Sequence, residues 1–312
     1  MNVFPYDSKI DFLRLRSLAL ALTLVLLVGA IALLATRGLN FALDFTGGTV
    51  AEFEFEKPVD LDAVRKTLEE KGYESATVQA FGSETDIVVR LRPQAGQENA
   101  AQTGGAVLEV ISTPGNPGRV VDSGFVGPQV GKELAQNGVL AVVFVAIGFV
   151  IYITFRFEWK FAVSAIATTL FDVLVTVGLF AFTQREFDLA VLAGVLSVMG
   201  YSINDKIVVF DRVRENFRAL HKISAGEVLN RSVNQTLSRT VITSFVAFLT
   251  VLALYLYGGN SLEGMAAAQM FGIVLGTLSS IFVACPLLYW LGASKQDLMP
   301  RARDEAELAR RP

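Results

Sequence analysis

Two aspartates, Asp172 and Asp205, lie inside long apolar segments, and Asn204 and Lys206 flank the second directly. Placing a carboxylate at the centre of a membrane span costs about 2.5–3.5 kcal/mol, so such groups usually face other helices or a water-filled cavity. The pattern therefore indicates proton-handling carboxylates. A structural polar contact, or a helix-end residue in the headgroup zone, is the alternative for each aspartate.

The charge on Asp205 needs a partner. Lys206 is a poor one, because adjacent residues on a helix do not face each other, and it is expected to extend to the cytoplasmic surface instead. Arg239 begins the next apolar segment at a similar depth. We therefore predict that Asp205 pairs with Arg239, with Asp172 as a second candidate for proton coupling.

Other chemistries find little support in the sequence. One Cys and one His exclude a disulfide within the chain and a Cys/His zinc site, and Ser-His or Cys-His catalysis would depend on His221 alone. The Gly131-Lys132 pair lacks the Ser or Thr and the upstream Gly of a phosphate-binding loop. With a formal charge of −3, nothing points to nucleic acid. We expect no enzyme activity, no cofactor and no metal, and an energy source in a partner or an ion gradient.

The composition is that of a membrane protein. Hydrophobic residues make up 52% and charged residues 18% of the 312 positions, against about 45–50% and 25% in soluble domains. Six apolar segments are long enough to cross a bilayer: 17–36, 134–155, 161–183, 189–210, 240–262 and 264–294. The first is too long for a signal-peptide core and lacks a small-residue cleavage site, so it is interpreted as a retained anchor.

Lys and Arg residues outside these segments predict the orientation. They concentrate in both tails and in the second-to-third and fourth-to-fifth connections, whereas the short connections on the opposite side carry only Arg185. By the positive-inside rule both termini are cytoplasmic. We therefore expect a cytoplasmic tail and first span in 1–36, an outward domain in 37–132, five further spans in 133–293 and a cytoplasmic tail in 294–312.

The outward domain shows alternating strand patterns and one capped helix. We predict strands at 49–55, 75–81, 85–92 and 119–126, a helix that Asp60 caps and that runs to Lys71, and a polar, flexible stretch at 94–105. Periodicity leaves 106–112 open between helix and strand. This order predicts a small ferredoxin-like α+β unit attached to an all-α bundle of six spans.

Polar residues in the third and fourth segments recur every four positions, so each set forms a stripe on one helix face. The stripes are Ser164, Thr168, Asp172 and Thr176, and Gly194, Ser197, Tyr201 and Asp205. Both are expected to be buried against other helices. Small residues four apart in the sixth segment, from Ala268 to Ala284, predict a close helix-packing face.

Six blocks of the chain, in this order, resemble the SecF branch of the SecD/SecF family of bacterial protein-export membrane proteins. They are LNFALDFTGGT (39–49), FVGPQVGKEL (125–134), YITFRFEWKFA (152–162), GYSINDKIVVFDRVREN (200–216), NQTLSRTVITS (234–244) and YLYGGNSLEG (255–264). The resemblance implies a fold of the resistance-nodulation-division type with six of its usual twelve spans, the other half being supplied by SecD.

The resemblance also implies a function and partners. The implied partners are SecD and the SecYEG channel in the bacterial inner membrane, often with YajC. The implied function is that the proton gradient drives late steps in the export of an unfolded polypeptide, after the motor SecA has acted. The family's acidic residue in the fourth span falls on Asp205, and its arginine at the start of the fifth on Arg239. The His-Asp pair common in the third span is Phe171-Asp172 here, so a role for that His does not carry over.

Two alternatives differ in class from a proton-coupled export subunit. One is a purely structural subunit that stabilises the channel and moves no protons. The other is a half-transporter for small-molecule efflux. The outward domain of about a hundred residues, without an obvious apolar cleft, argues against the latter.

Overall fold

The computed structural model describes residues 10–73, 76–81, 83–91, 100–220, 223–294 and 297. In these residues six helices are long and apolar enough to cross a membrane, as predicted. They are Phe12–Thr36, Gln129–Arg156, Trp159–Thr183, Leu189–Ala219, Ala225–Tyr257 and Ser261–Trp290. Both predicted cytoplasmic tails fall largely outside the described residues, as does His221.

The chain divides into two compact units. The α/β unit is Asn40–Ala141 with Glu186–Leu189, and the helical unit is the rest of the chain. The helices are α1 (Arg16–Thr36), α2 (Leu43–Thr46), α3 (Leu61–Glu70), α4 (Ala100–Ile111), α5 (Pro128–Arg156), α6 (Trp159–Thr183), α7 (Leu189–Ala219), α8 (Ala225–Tyr257), α9 (Asn260–Ser279) and α10 (Cys285–Trp290). The strands are β1 (Asn40–Phe41), β2 (Gly48–Phe55), β3 (Thr77–Phe81), β4 (Ser83–Leu91), β5 (Gly118–Val126) and β6 (Glu186–Phe187).

The α/β unit contains an antiparallel four-stranded sheet in the order β3-β4-β2-β5. The strands and helices follow one another as β2-α3-β3-β4-α4-β5, which is compatible with the predicted ferredoxin-like unit. Alternation in β2 buries Ala51, Phe53 and Phe55 in the core. The Asp60 side chain caps α3 by accepting from two backbone amides, as its position before the apolar stripe predicts.

The segment that periodicity left open is a helix. Helix α4 contains nearly all of 106–112, and Thr103, Val107 and Ile111 are buried at four-residue spacing, which a helix and not a strand places on one face. The helix begins at Ala100, so the expectation of a flexible stretch over 94–105 is wrong for its second half. Residues 94–99 lie outside the described part of the chain.

A second, two-stranded sheet was not expected from the sequence. Strands β1 and β6 pair in parallel, with Asn40 opposite Glu186 and Phe41 opposite Phe187. Two residues are too few for alternation to reveal a strand. This pairing joins the segment after the first span to the segment before the fourth.

The helical unit buries most of α6, much of α7 and the span that contains α9. Glycines bring α9 close to α7: a Cβ at Gly272 would overlap the Val198 side chain, and one at Gly276 would press on Ser202. The predicted small-residue packing face is therefore confirmed. A π-helical turn, Ser280–Ala284, joins α9 to α10 within the same span.

Span boundaries differ from the sequence expectation at the fifth segment. The prediction of one span over 240–262 is wrong at its end, since α8 stops at Tyr257. Gly259 has φ +74°, a left-handed conformation that favours glycine and breaks the helix there. Leu262 belongs to α9.

Candidate functional site

Asp172 lies at the middle of α6 and is fully buried. Its Oδ2 atom accepts hydrogen bonds from the hydroxyls of Ser202 on α7, at 2.5 Å, and Ser279 on α9, at 2.8 Å. The ammonium of Lys206 on α7 lies 2.7 Å from the same oxygen. Three helices thus converge on one carboxylate oxygen.

Lys206 is also fully buried, so the expectation that it reaches the cytoplasmic surface is wrong. Its ammonium donates to the carbonyl of Ser202, 3.3 Å away, and to the hydroxyl of that residue. The reason is geometric: helical side chains lean toward the N-terminal end of their helix, here back by one turn toward Ser202. The charge of Asp172 offsets part of the cost of burying the ammonium.

The second oxygen of Asp172 has a different environment. Oδ1 is buried and has no hydrogen-bond partner among the described residues. The hydroxyls of Thr169 and Thr240 are likewise buried without a partner in that part of the chain. Buried polar atoms in proteins are seldom left unpaired. Oδ1 is therefore the Asp172 oxygen that takes no part in the hydrogen bonds of the described cluster.

Asp205 belongs to a separate network on the neighbouring face of α7. It is 3% exposed, and the Ser244 hydroxyl of α8 lies 3.4 Å from its Oδ2. Tyr201 and Thr277 donate to that Ser244 hydroxyl at 2.8 and 2.7 Å. Asp205 and Lys206 are consecutive and point about 100° apart around the helix. Consecutive residues of α7 thus serve two different polar clusters.

The predicted ion pair between Asp205 and Arg239 is not formed. Arg239 is exposed, and none of the ion pairs within the described residues includes it. Ser244 follows Arg239 by five positions, about 140° around α8, so only the serine faces α7. Asn204, the fourth predicted site residue, is exposed as well.

The two polar stripes fare differently. The α6 stripe is confirmed, since Ser164, Thr168, Asp172 and Thr176 are all buried. The α7 stripe is wrong in part, because Ser197 is exposed and Tyr201 only half-buried. The buried face of α7 is rotated from the expected one and includes Ser202 and Lys206.

Sequence reasoning missed Ser202, Ser279 and the role of Lys206 in holding Asp172. A usable signal was present, since Ser202 and Lys206 are four positions apart on one face of α7. Ser279 immediately precedes the π-helical turn, a feature frequent at functional sites. No cluster of three or more His, Cys, Asp or Glu side chains suited to a metal ion occurs in residues that the structure describes.

Comparison with known proteins gives consistent matches. A family model described as "Protein export membrane protein SecD/SecF, C-terminal" matches residues 112–294, and one described as "SecD/SecF GG Motif" matches 32–59. A protein translocase subunit SecF from Pseudomonas aeruginosa is 44% identical over 301 residues, covering 96% of this chain and 97% of its own. The Escherichia coli O157:H7 protein of that name is 41% identical, covering 93% and 90%.

Two solved structures are similar as well. The crystal structure of SecDF, described as a translocon-associated membrane protein from Thermus thermophilus, has a TM-score of 0.82 at 35% identity. A second SecDF crystal structure, in a super-membrane-facing form, has a TM-score of 0.66 at 34% identity. The matches cover 93% and 97% of this chain, which spans 40% of the length of each SecDF chain.

Proposed function

The chain belongs to the SecD/SecF protein-export family as a multi-pass Sec translocation subunit, and from this premise we propose that, with SecD, it uses the proton gradient to promote late steps of polypeptide translocation through SecYEG. SecA and YajC are further proposed partners. We place the chain in the bacterial inner membrane, with both termini cytoplasmic and the α/β unit, as a ferredoxin-like domain, in the periplasm.

The observation that carries the proposal is the buried Asp172–Lys206 pair with a second buried carboxylate, Asp205, beside it. An uncompensated charge inside a bilayer is costly, so a membrane protein that holds three ionisable groups there needs a reason. Two hydroxyl networks, through Ser202 and Ser244, orient the carboxylates. Such an arrangement suits proton exchange coupled to helix movement.

In this proposal a proton enters on Oδ1 of Asp172 and neutralises the carboxylate. Lys206 then keeps its charge in a fully buried position without a counter-charge, a state that costs several kcal/mol. Rearrangement of α6 against α7 relieves that cost. Each proton that crosses about 100 mV releases about 2.3 kcal/mol, enough to shift a two-state equilibrium about 50-fold.

Asp205, Asn204 and Arg239 have a related role in the proposal. Asn204 and Arg239 are exposed on α7 and α8 in this chain alone, so they are available to the helices of SecD. A proton on Asp205 would weaken its contact with Ser244 and free α8 from α7. The family resemblance of the segments around Asp205 and Arg239 supports this assignment.

The test replaces Asp205 by Asn, which is nearly isosteric and cannot ionise. We expect Asp205→Asn to assemble with SecD normally and to lose gradient-stimulated export, because its side chain no longer changes charge. The measurement is completion of translocation of an exported polypeptide by proteoliposomes that hold the chain, SecD, SecYEG and SecA, with and without a proton gradient.

Asp211→Asn is the matched control, since Asp211 lies on the same helix but pairs with Arg156 in a partly exposed position. It should leave the gradient response unchanged. Normal gradient stimulation in Asp205→Asn would refute the assignment of Asp205. Normal stimulation in Asp205→Asn and Asp172→Asn alike would favour the structural-subunit alternative, in which both networks only pack helices together.

A further inference from the structure

We propose that Asp44 and Arg90 are positioning residues that fix the N-terminal end of α7 to the sheet of the α/β unit. The inference rests on the proposed function, because α7 carries Ser202, Asp205 and Lys206. It assigns these residues a task that the proton-coupling site itself does not include. A displacement of α7 would thereby pull directly on the α/β unit.

The first contact is a helix cap supplied from a distant segment. The first backbone N–H groups of a helix have no partner within the helix. At α7 the N–H of Leu189 donates to Oδ2 of Asp44, 3.1 Å away and 145 positions earlier in the chain. The negative charge of Asp44 is also favourable at a helix N-terminus. A cap that is usually local is here a connection between two parts of the α/β unit.

Strand pairing and aromatic rings reinforce this connection. The Ala42 N–H donates to the Phe187 carbonyl at 3.0 Å, extending the β1–β6 pair. The rings of Phe41, Phe45 and Phe187 form a cluster with centroid separations of 5.7–6.3 Å. Since two-residue strands alone are weak, the ring contacts contribute to holding the segment before α7 in place.

Arg90 connects the same segment to the sheet interior. It lies on β4, which pairs with both β2 and β3, and its guanidinium forms an ion pair with Glu186. Burial lowers the pKa of Arg90, and the carboxylates of Asp188 and Asp44 oppose that effect. The carboxylates of Asp44, Glu186 and Asp188 therefore all interact with the guanidinium of Arg90, which is held by the central strand β4.

Glycines hold α2, and with it Asp44, against the sheet. Gly47 and Gly48 follow α2 with φ of +67° and +126°, a region that favours glycine. A Cβ at Gly48 would overlap the Leu91 carbonyl, and one at Gly131 would lie 2.9 Å from the Gly47 nitrogen. The Gly-Gly turn therefore positions Asp44 with little freedom.

The helix itself supplies the transmission. α7 runs without a break from Leu189 to Ala219. Asp205 is sixteen residues beyond Leu189, about 24 Å along the helix at 1.5 Å per residue. Because a continuous helix resists stretching, an axial movement at Lys206 reaches Leu189, where Asp44 and the β1–β6 pair hold it.

The experiment compares Asp44→Ala, which removes the cap, with Asp44→Asn, which keeps an oxygen acceptor and caps helices as well as Asp. Two readouts are taken on the full chain in complex with SecD: hydrogen exchange of the Leu189–Leu192 amides, and gradient-stimulated translocation. In Asp44→Ala we expect exchange about fivefold faster or more and loss of gradient stimulation, with gradient-independent export unchanged. Asp44→Asn should resemble the wild-type chain in both.

A disulfide provides the rescue. Asn40→Cys and Glu186→Cys, placed on neighbouring strands in register, are within bridging distance. Glu186→Cys also removes the ion pair with Arg90, so the covalent bond has to replace that contact as well as the cap. Cys285 is buried and gives no background. In the Asp44→Ala chain, oxidation of this pair should restore gradient-stimulated export, and dithiothreitol should abolish it again. Full gradient stimulation in reduced Asp44→Ala, or no restoration once the disulfide has formed, would overturn the proposal.

The same measurements separate this proposal from the proposed function. Asp205→Asn should lose gradient stimulation while its Leu189–Leu192 amides stay protected. If the wild-type chain itself shows no gradient stimulation, the proposed function and the coupling both fail, whereas the exchange comparison still decides whether Asp44 caps α7. Unchanged exchange in Asp44→Ala would exclude the cap and overturn the positioning role.

Discussion

Two ion pairs, one from each unit of the chain, differ in how their charged side chains are placed. In the helical unit Asp172 and Lys206 form an ion pair with no exposed side-chain surface at all. In the α/β unit the Glu54–Arg119 pair has a similar length, 2.6 Å, but its side chains are 44% and 74% exposed. Water screens the second pair and leaves it worth about 0–1 kcal/mol. Distance alone therefore does not tell which ion pair determines the structure.

What differs is the cost of losing one partner. Removing either member of an exposed pair leaves a charge that water solvates. Removing one member of a buried pair leaves a charge with nothing to replace the lost partner, at about 3–5 kcal/mol. The Asp172–Lys206 pair is therefore sensitive to the charge state of its members in a way that the Glu54–Arg119 pair is not, and this sensitivity suits the proton coupling proposed above.

The largest effect is expected from Lys206→Met. The change leaves the Asp172 carboxylate buried with only two hydroxyl donors, so stability should fall by about 3–5 kcal/mol. Adding Asp172→Asn in the same chain should recover most of that loss, because both charges are then gone. Thermal unfolding of the purified chain with SecD measures both.

Arg119→Ala is the control from the exposed pair and should cost at most about 1 kcal/mol. If Lys206→Met alone is as stable as Arg119→Ala, burial does not determine how much stability is lost when an ion pair is broken.

A smaller effect is expected from Asp60→Ala in the α/β unit. Asp60 accepts from the amides of Asp62 and Ala63 and caps α3, and loss of such a cap costs about 0.5–2 kcal/mol. Hydrogen exchange of the α3 amides in the full chain should accelerate accordingly. Asp62→Ala removes an exposed contact with Arg65 and a first-turn carboxylate of α3, and should accelerate the exchange of these amides less than Asp60→Ala does. Equal acceleration in both variants would contradict the cap.

The smallest effect concerns Glu52, which faces Asp122 across β2 and β5. Burial, and then the charge of Asp122, raises the pKa of Glu52. The folded state therefore holds the Glu52 proton more tightly than the unfolded state, and this stabilising contribution is lost as the pH rises through the raised pKa. Glu52→Gln should stabilise the sheet by about 0.2–1 kcal/mol at pH 7 and by nothing in acid, where Glu52 is already protonated.

Exchange of the β2 and β5 amides, corrected for the intrinsic effect of pH, measures that change. Glu54→Gln is the matched control on the same strand, because Glu54 faces Arg119 rather than a carboxylate. It should not stabilise the sheet at any pH. A gain for Glu52→Gln that is the same at pH 4 and pH 7 would rule out the electrostatic explanation.

The same contrast explains what the sequence could predict. Strand alternation around Phe53 and the cap at Asp60 are local signals, and the six spans follow from the length of apolar segments, so these elements were predictable. The partner of Asp172 depends on how α7 is rotated about its axis, which a few buried contacts decide. That rotation brings Lys206 to Asp172, while Arg239 lies exposed on α8.

Parts of the candidate site were nevertheless within reach of sequence reasoning. The polar stripe through Asp172 was predictable because all four of its members share one helix face. The direction of Lys206 could have been predicted from the tilt of helical side chains toward the N-terminus. The contribution of Ser279 could not, because it depends on a local irregularity in the span that carries it.

That irregularity, the π-helical turn at Ser280–Ala284, amounts to one extra residue inserted into an otherwise regular span. Relative to α10, the extra residue rotates the side chains of α9 by about 100° about the helix axis. If α10 kept its position, a regular α-helical turn in place of the π turn would rotate the Ser279 hydroxyl away from Asp172. The position of the π turn therefore sets which side chain of the span faces the Asp172 carboxylate. Shifting the turn by a few positions along the helix would bring a different side chain to that carboxylate while both ends of the span stay in place.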